Sequence, residues 1–133
     1  VPVDVRYLKR PREDMMKIAF AGPASNLLLA FIAGTILRTG YAQGSIAMML
    51  ILFTQINIML AVFNMIPVSP LDGSQIFSGL LIRTNPDLVR NLQIYGPQIL
   101  LGAILIGYLT PISPISWIMR PFVNFFLFLF AGI

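Results

Sequence analysis

Long stretches without a charged side chain are the feature that most constrains this chain. Ile18–Leu37 is an uncharged run of 20 residues, and Ile46–Ile66 is a second run without charge. At 1.5 Å per residue, a helix of this length spans about 30 Å, the thickness of a bilayer's hydrocarbon core. Backbone polar groups inside a bilayer must be hydrogen-bonded within the protein, which favours helices. The runs therefore predict membrane-spanning α-helices.

Composition supports the same fold class. Only 11% of the residues are charged and the mean hydropathy is +0.84, whereas soluble domains carry about 25% charged residues. A third span is expected at about Gln98–Leu109, beginning before Pro97, and a fourth from Phe122. The sequence thus predicts an all-α polytopic membrane protein with about four transmembrane helices. It forms a single membrane-embedded domain over residues 1–133.

The basic residues predict the orientation of the chain. The first 17 residues hold five of them: Arg6, Lys9, Arg10, Arg12 and Lys17. By the positive-inside rule we expect residues 1–17 and 83–93 in the cytoplasm and the turn at Arg38 outside. No basic surface recurs later, so we expect the lipid bilayer as a partner and no nucleic acid. Alternating apolar residues over Val1–Tyr7 predict a short edge strand.

A helix-breaking segment, Pro67–Gly73, follows the second run. Proline removes a backbone donor and clashes with the preceding turn. Non-helical backbone at membrane depth is tolerated only where protein or a water-filled cavity satisfies its polar groups. Asp72 in this segment is the only carboxylate between Asp14 and Asp87. An ionisable residue at such a position is a candidate for a functional site.

Three roles for Asp72 remain open on the residues alone. It could cap a short helix over Ser74–Ile82, since aspartate is a favoured N-cap. It could relay protons or ions in a transporter. It could also bind a metal, with the Asn64 amide stabilising a developing oxyanion.

The first run carries a second group of notable residues. Gly22 and Pro23 lie near its beginning, where proline costs little if the helix begins there. Asn26 lies in the same helix, and we expect it to form an interhelical hydrogen bond.

Two motifs resemble those of the site-2 protease family of intramembrane zinc metalloproteases. The segment F-N-M-I-P-V-S-P-L-D-G matches the family pattern N-x-x-P-x-x-P-x-D-G at all five specified positions: Asn64, Pro67, Pro70, Asp72 and Gly73. The upstream segment A-G-P-A-S-N resembles the family element A-G-P-x-x-N through Gly22, Pro23 and Asn26. Their order, with one span between them, also matches.

The resemblance implies a zinc site and a role for each matched residue. In the family, zinc is held by two histidines of an H-E-x-x-H helix, whose glutamate activates water, and by the aspartate that Asp72 matches. Asn64 matches the asparagine that helps to polarise the substrate carbonyl. Pro67 and Pro70 match the prolines that break the helix and aim the aspartate inward. Substrates would be membrane proteins cleaved in or near their transmembrane segments.

The chain departs from this pattern because it contains no histidine. In the family, the H-E-x-x-H helix precedes the A-G-P-x-x-N span. We therefore expect the C-terminal part of a site-2-type protease core, with the two histidine ligands upstream of Val1 and no activity in this part alone. One alternative is a histidine-free pseudoprotease that serves as a membrane scaffold. Another is a small transporter subunit that uses Asp72.

Overall fold

The structure, a computed structural model, describes residues 11–133 and contains five α-helices in that range. The predicted strand over Val1–Tyr7 and the first ten residues of the predicted basic flank lie outside the described residues. The helices are α1 (Pro11–Arg38), α2 (Gly44–Asn64), α3 (Asp72–Leu81), α4 (Pro86–Leu109) and α5 (Pro114–Ala131). Four of them, all except α3, are long and apolar enough to cross a membrane. The predicted fold class is confirmed.

The first helix begins earlier than predicted. It starts at Pro11, with Glu13 and Asp14 in its first turn. Proline suits the first helical position because its missing N–H would have no partner there, and acidic residues interact favourably with the helix dipole. Pro23 consequently lies inside α1, so the prediction that it stands near the helix start is wrong. Residues 11–17 of the predicted flank are helical.

The third span begins before Pro97, as predicted, and the fourth begins earlier than predicted; each begins at a proline. The Asn85 side chain accepts a hydrogen bond from the Leu88 amide at 3.4 Å, and Pro86 opens α4. Most of the predicted 83–93 loop is therefore helix. Ser113 caps α5 in the same way, and the fourth span begins at Pro114 instead of Phe122. The sequence prediction read these prolines as turns, although proline also favours the first helical turn.

Helices α1 and α5 run parallel, with α2 antiparallel to both. Phe20 of α1, Met65 after α2 and Ile118 of α5 line one cavity. At the opposite end, Arg38 at the end of α1 contacts the Phe130 carbonyl near the end of α5. We call the first the break end and the second the Arg38 end. The chain leaves α2 and enters α5 at the break end.

Small residues on α1 allow its neighbours to approach closely. Ala30, Ile58, Val62 and Met119 form the buried core between α1, α2 and α5. At Gly34, an added Cβ would lie 2.6 Å from the carbonyl oxygen of Phe130. Small residues at helix contacts are typical of membrane bundles, where close packing holds helices together.

Candidate functional site

The segment between α2 and α3 is non-helical, as the prolines predict. Its turns are closed by backbone hydrogen bonds from Val68 N–H to Ile66 O at 2.8 Å and from Leu71 N–H to Val68 O at 3.0 Å. The Ser69–Pro70 peptide bond is cis. Leu71 is buried, whereas Pro67 and Pro70 are exposed. This segment forms a compact loop at the break end and ends where α3 begins.

Asp72 is the first residue of α3, not its N-cap. The cap is Leu71, whose backbone is extended and whose side chain makes no capping bond. The prediction of Asp72 as an N-cap is therefore wrong, because the chain enters the helix one residue earlier. The carboxylate is half-buried and forms no hydrogen bond or ion pair with any residue of the described range. It is available to a ligand.

The glycine of the first motif lies against this carboxylate. A Cβ added to Gly22 would stand 3.0 Å from Oδ2 of Asp72, closer than ordinary van der Waals contact. The Asp72 carboxylate thus stands beside the α1 backbone at Gly22, in space that a side chain at this position would occupy. The structure therefore brings together the two motifs that lie 50 residues apart at Gly22 and Asp72.

Close packing explains why a glycine follows Asp72. A Cβ added to Gly73 would collide with the backbone carbonyl groups of Met65 and Ile66. Only a residue without a side chain lets the start of α3 pack this closely on the end of α2. The next residue, Ser74, is buried and donates from its hydroxyl to Leu71 O at 2.7 Å. These contacts determine where Asp72 stands.

Asn64 is the last residue of α2 and is half-buried. Its amide Nδ2 donates a hydrogen bond to Leu60 O, one turn earlier, at 2.8 Å. One amide N–H is used in this bond, and the amide group is thereby oriented at the helix end that leads into the break. The second amide hydrogen has no acceptor among the described residues.

Pro23 and Asn26 belong to the inward face of α1. Pro23 is fully buried and Asn26 is half-buried, and both share this face with buried Ala30. The interhelical hydrogen bond predicted for Asn26 is not formed within residues 11–133. These two residues therefore contribute to the packing beside the break.

An apolar cavity of about 750 Å³ adjoins the break. It lies between α1, α2 and α5 and includes the first residues of the break itself. Every lining residue is apolar: Phe20, Pro23, Leu27, Ala61, Val62, Met65, Ile66, Pro67, Val68, Ile118, Met119, Phe122 and Phe126. The contribution of α5 was missed at the sequence level, because nothing in its residues indicates that it packs beside the break.

Gly96 in α4 was also missed. An added Cβ there would lie 2.8 Å from the backbone nitrogen of Ser69. Helix α4 thus packs directly on the break loop through a glycine. The pair Gly96-Pro97 was the available signal, since a glycine inside a helical pattern can mark a close backbone approach.

The described residues offer one candidate metal ligand, Asp72, and not a whole site. No group of three His, Cys, Asp or Glu side chains lies together in the part of the chain that the structure describes. The complete sequence has no histidine and no cysteine. A catalytic zinc uses three protein ligands and keeps a fourth position open. Asp72 fits as one such ligand, since carboxylate oxygen is a zinc donor.

Comparison with known proteins identifies one family. Residues 36–104, which include the break and Asp72, match the model of "Peptidase family M50". Three relatives have names that begin "Putative zinc metalloprotease": YwhC of Bacillus subtilis, MJ0611 of Methanocaldococcus jannaschii and Rip3 of Mycobacterium tuberculosis. No solved structure matches the chain significantly.

The relatives are longer than this chain. YwhC is 30% identical, over 93% of this chain and 58% of its own length. MJ0611 is 42% identical over 48% of this chain and 34% of its own length. Rip3 is 36% identical over 56% of this chain and 20% of its own length. The chain therefore covers between a fifth and just over half of the length of each of these curated relatives.

Proposed function

This chain belongs to peptidase family M50, and we propose that it forms the part of an intramembrane zinc metallopeptidase that supplies Asp72 to the metal. The observation that carries the proposal is the carboxylate itself. Asp72 stands at a helix break in a membrane bundle, lies against Gly22 and has no partner among the described residues. A membrane protein retains such a charge where it serves a function.

Zinc would be held jointly by this chain and by residues outside it. Asp72 would give one carboxylate ligand, and the resemblance to site-2 proteases implies that two histidines of an H-E-x-x-H helix give the others. Zinc bound there would act as a Lewis acid toward water and the scissile carbonyl. Since the 133 residues hold no histidine or cysteine, we expect this chain alone to have neither tight catalytic zinc binding nor peptidase activity.

Asn64 would act on the substrate carbonyl. Its amide is oriented by the bond to Leu60 O at 2.8 Å and retains a second N–H. A fixed donor of this kind stabilises the negative charge that develops on a carbonyl oxygen during peptide-bond attack. The position of Asn64 at the end of α2, immediately before the break, supports this role.

The substrate would be a membrane protein cleaved in or near a transmembrane segment. The apolar cavity of about 750 Å³ next to the break can receive apolar side chains and contains no polar lining residue. Exposed Pro67 and Pro70 leave the break accessible from its own end of the bundle, which the basic residues predict to be cytoplasmic. Water needed for hydrolysis would enter from that side.

The deciding experiment is the Asp72→Asn substitution in the whole protein that contains this chain. Loss of a second-sphere partner of a metal ligand already costs about 10–100-fold in metal affinity or activity. We therefore expect loss of the ligand itself to lower cleavage of a transmembrane substrate, and zinc content, by more than about 100-fold.

Asp87→Asn is the matched control. Asp87 is exposed and forms an ion pair with Arg90 at 3.8 Å, so its substitution should leave cleavage unchanged. Equal cleavage by the wild type and the Asp72→Asn variant would overturn the peptidase proposal and favour a scaffold. Altered proton coupling without any cleavage would favour a transporter.

A further inference from the structure

Arg120 is a charged residue inside α5, a helix of membrane-spanning length. It lies six residues after Pro114, the first residue of the helix, and its side chain is exposed. It forms no hydrogen bond or ion pair with any residue in the described range 11–133. An unpaired arginine in a transmembrane helix is costly unless its head reaches the interface or a partner of opposite charge.

The surroundings of Arg120 form a shallow site. Trp117, Arg120 and Asn124 lie at helical spacing on one face of α5, together with Ile118 and Pro121 around a concavity of about 550 Å³. Buried Met119 lies on the opposite side of the helix, which packs against the core. The site thus faces away from the core of the bundle.

The polar groups of this site are mainly hydrogen-bond donors. The guanidinium of Arg120 has five N–H donors and no acceptor, and the indole of Trp117 has one donor and no acceptor. The Asn124 amide adds two further donors. Such a set suits an anionic ligand with several acceptor oxygens, and arginine pairs with phosphate in a bidentate manner.

The position of the site along the bundle indicates the source of that anion. Helix α5 begins at the break end, where Ile118 shares a cavity with Met65. Lys17 lies in the second turn of α1, at the same end of the bundle. The positive-inside rule predicts that this end faces the cytoplasm, where the leaflet carries anionic lipids. Tryptophan is typical of that interface.

We propose that Trp117, Arg120 and Asn124 of α5 bind the phosphate headgroup of an anionic phospholipid in the leaflet at the break end. Arg120 pairs with the phosphate, Asn124 donates to a second headgroup oxygen, and the Trp117 ring covers the glycerol region. The acyl chains lie along the exposed face of α5, of which exposed Phe128 is part. The phosphate of the bound lipid thereby neutralises Arg120, which has no partner among the described residues.

Trp117 provides the probe as the only tryptophan among these 133 residues, and the difference between the wild type and a Trp117→Phe variant isolates its signal in the whole protein. The protein is reconstituted in phosphatidylcholine vesicles that contain a small fraction of dibrominated phosphatidylglycerol or, in parallel, dibrominated phosphatidylcholine. Bromine quenches tryptophan only at close range. One basic residue near an anionic surface enriches the anionic lipid about five-fold, so quenching by phosphatidylglycerol should correspond to about five-fold more lipid at Trp117.

Variants separate this site from general attraction to charge. Arg120→Gln should remove the enrichment, and Arg120→Lys should keep only part of it, because lysine retains the charge but cannot pair with phosphate in a bidentate manner. Arg90→Gln removes the same charge from a residue that is paired with Asp87 at 3.8 Å and should leave the quenching unchanged. Equal quenching by the two brominated lipids in the wild type, or unchanged enrichment in Arg120→Gln, would overturn the proposal. Weak quenching by both lipids would also overturn it, since a protein segment would then cover the site.

Discussion

The two ends of the helix bundle each place a charged side chain against a neighbouring helix, but only one of these charges is satisfied within the chain. At the Arg38 end, the guanidinium of Arg38 donates to the carbonyl oxygens of Phe128 at 2.8 Å, Leu129 at 3.0 Å and Phe130 at 3.2 Å. At the break end, Asp72 lies against Gly22 and has no partner among the described residues.

The Arg38 contact gives hydrogen-bond donors to carbonyl groups at the end of a helix. The last four carbonyl groups of a helix have no intrahelical partner, and the helix C-terminus carries partial negative charge. Arg38 supplies donors and positive charge to the end of α5, while Gly34 lets the two helices approach. This end of the bundle is therefore held together by contacts that serve stability.

The break end uses similar elements for a different purpose. Gly22 and Gly73 allow close packing there, as Gly34 does at the other end. The charged side chain beside them, Asp72, has no hydrogen-bond or ion-pair partner among the described residues. Close packing by glycine is common to both ends, and the presence or absence of an internal partner for the charge separates the stabilising end from the end that we propose to be functional.

The largest effect is expected for Gly73→Ala, which disturbs the backbone packing at the break end. The new methyl group would collide with the carbonyl groups of Met65 and Ile66, and overpacking of this kind costs about 1–3 kcal/mol. We expect lower thermal stability in detergent and loss of substrate cleavage, because Asp72 must shift. Gly102→Ala is the control, since nothing lies within 4 Å of a Cβ added there. A Gly73→Ala variant as stable and active as that control would contradict the packing described for the break.

A smaller effect is expected for Arg38→Gln, which removes contacts at the opposite end. It removes charge-assisted hydrogen bonds to three carbonyl groups of α5, and bonds of this type contribute about 2 kcal/mol. Thermal unfolding should therefore occur at a lower temperature, while cleavage measured well below that temperature should change little. Arg83→Gln removes the same charge from an exposed residue beyond α3 and serves for comparison. Unchanged unfolding of Arg38→Gln would show that this contact does not hold the two helices.

The smallest effect on stability is expected for Gly22→Ala, which is compared directly with Gly34→Ala at the other end. In Gly34→Ala the new Cβ meets the Phe130 backbone at 2.6 Å, whereas in Gly22→Ala it meets the Asp72 carboxylate at 3.0 Å. A side chain can shift more easily than a backbone, so Gly22→Ala should cost little stability. It should lower zinc affinity of the whole protein by about 10-fold, as changes next to metal ligands do.

Gly34→Ala should show the reverse pattern, with reduced thermal stability and unchanged zinc affinity. Isothermal titration with zinc and thermal unfolding, carried out on both variants, test the two expectations together. If both substitutions reduced stability and neither changed zinc affinity, Gly22 would be a packing residue only, and the assignment of the break end as the metal site would lose its steric support.

Local signals in the sequence were sufficient for the class of fold. Uncharged runs predict spanning helices whatever lies beside them, because the bilayer requires internally bonded backbone. The break was predictable for the same reason, since Pro67 and Pro70 disrupt a helix through their own covalent structure. The starts of α1 and α5 were placed wrongly and residues 83–93 were predicted as a loop, because a proline signal by itself does not distinguish a turn from a first helical residue.

The sequence by itself determined the helical spans, the interruption between α2 and α3, and the presence of a single carboxylate at that interruption. Only the tertiary structure decided that this carboxylate lies beside Gly22. It also decided that Arg38 binds the end of α5, where Phe130 lies 92 positions further along the chain. Helix formation depends on neighbouring residues and the surrounding solvent, which a sequence displays. Contacts between distant residues depend on how the surfaces of whole helices fit together, which no local pattern specifies.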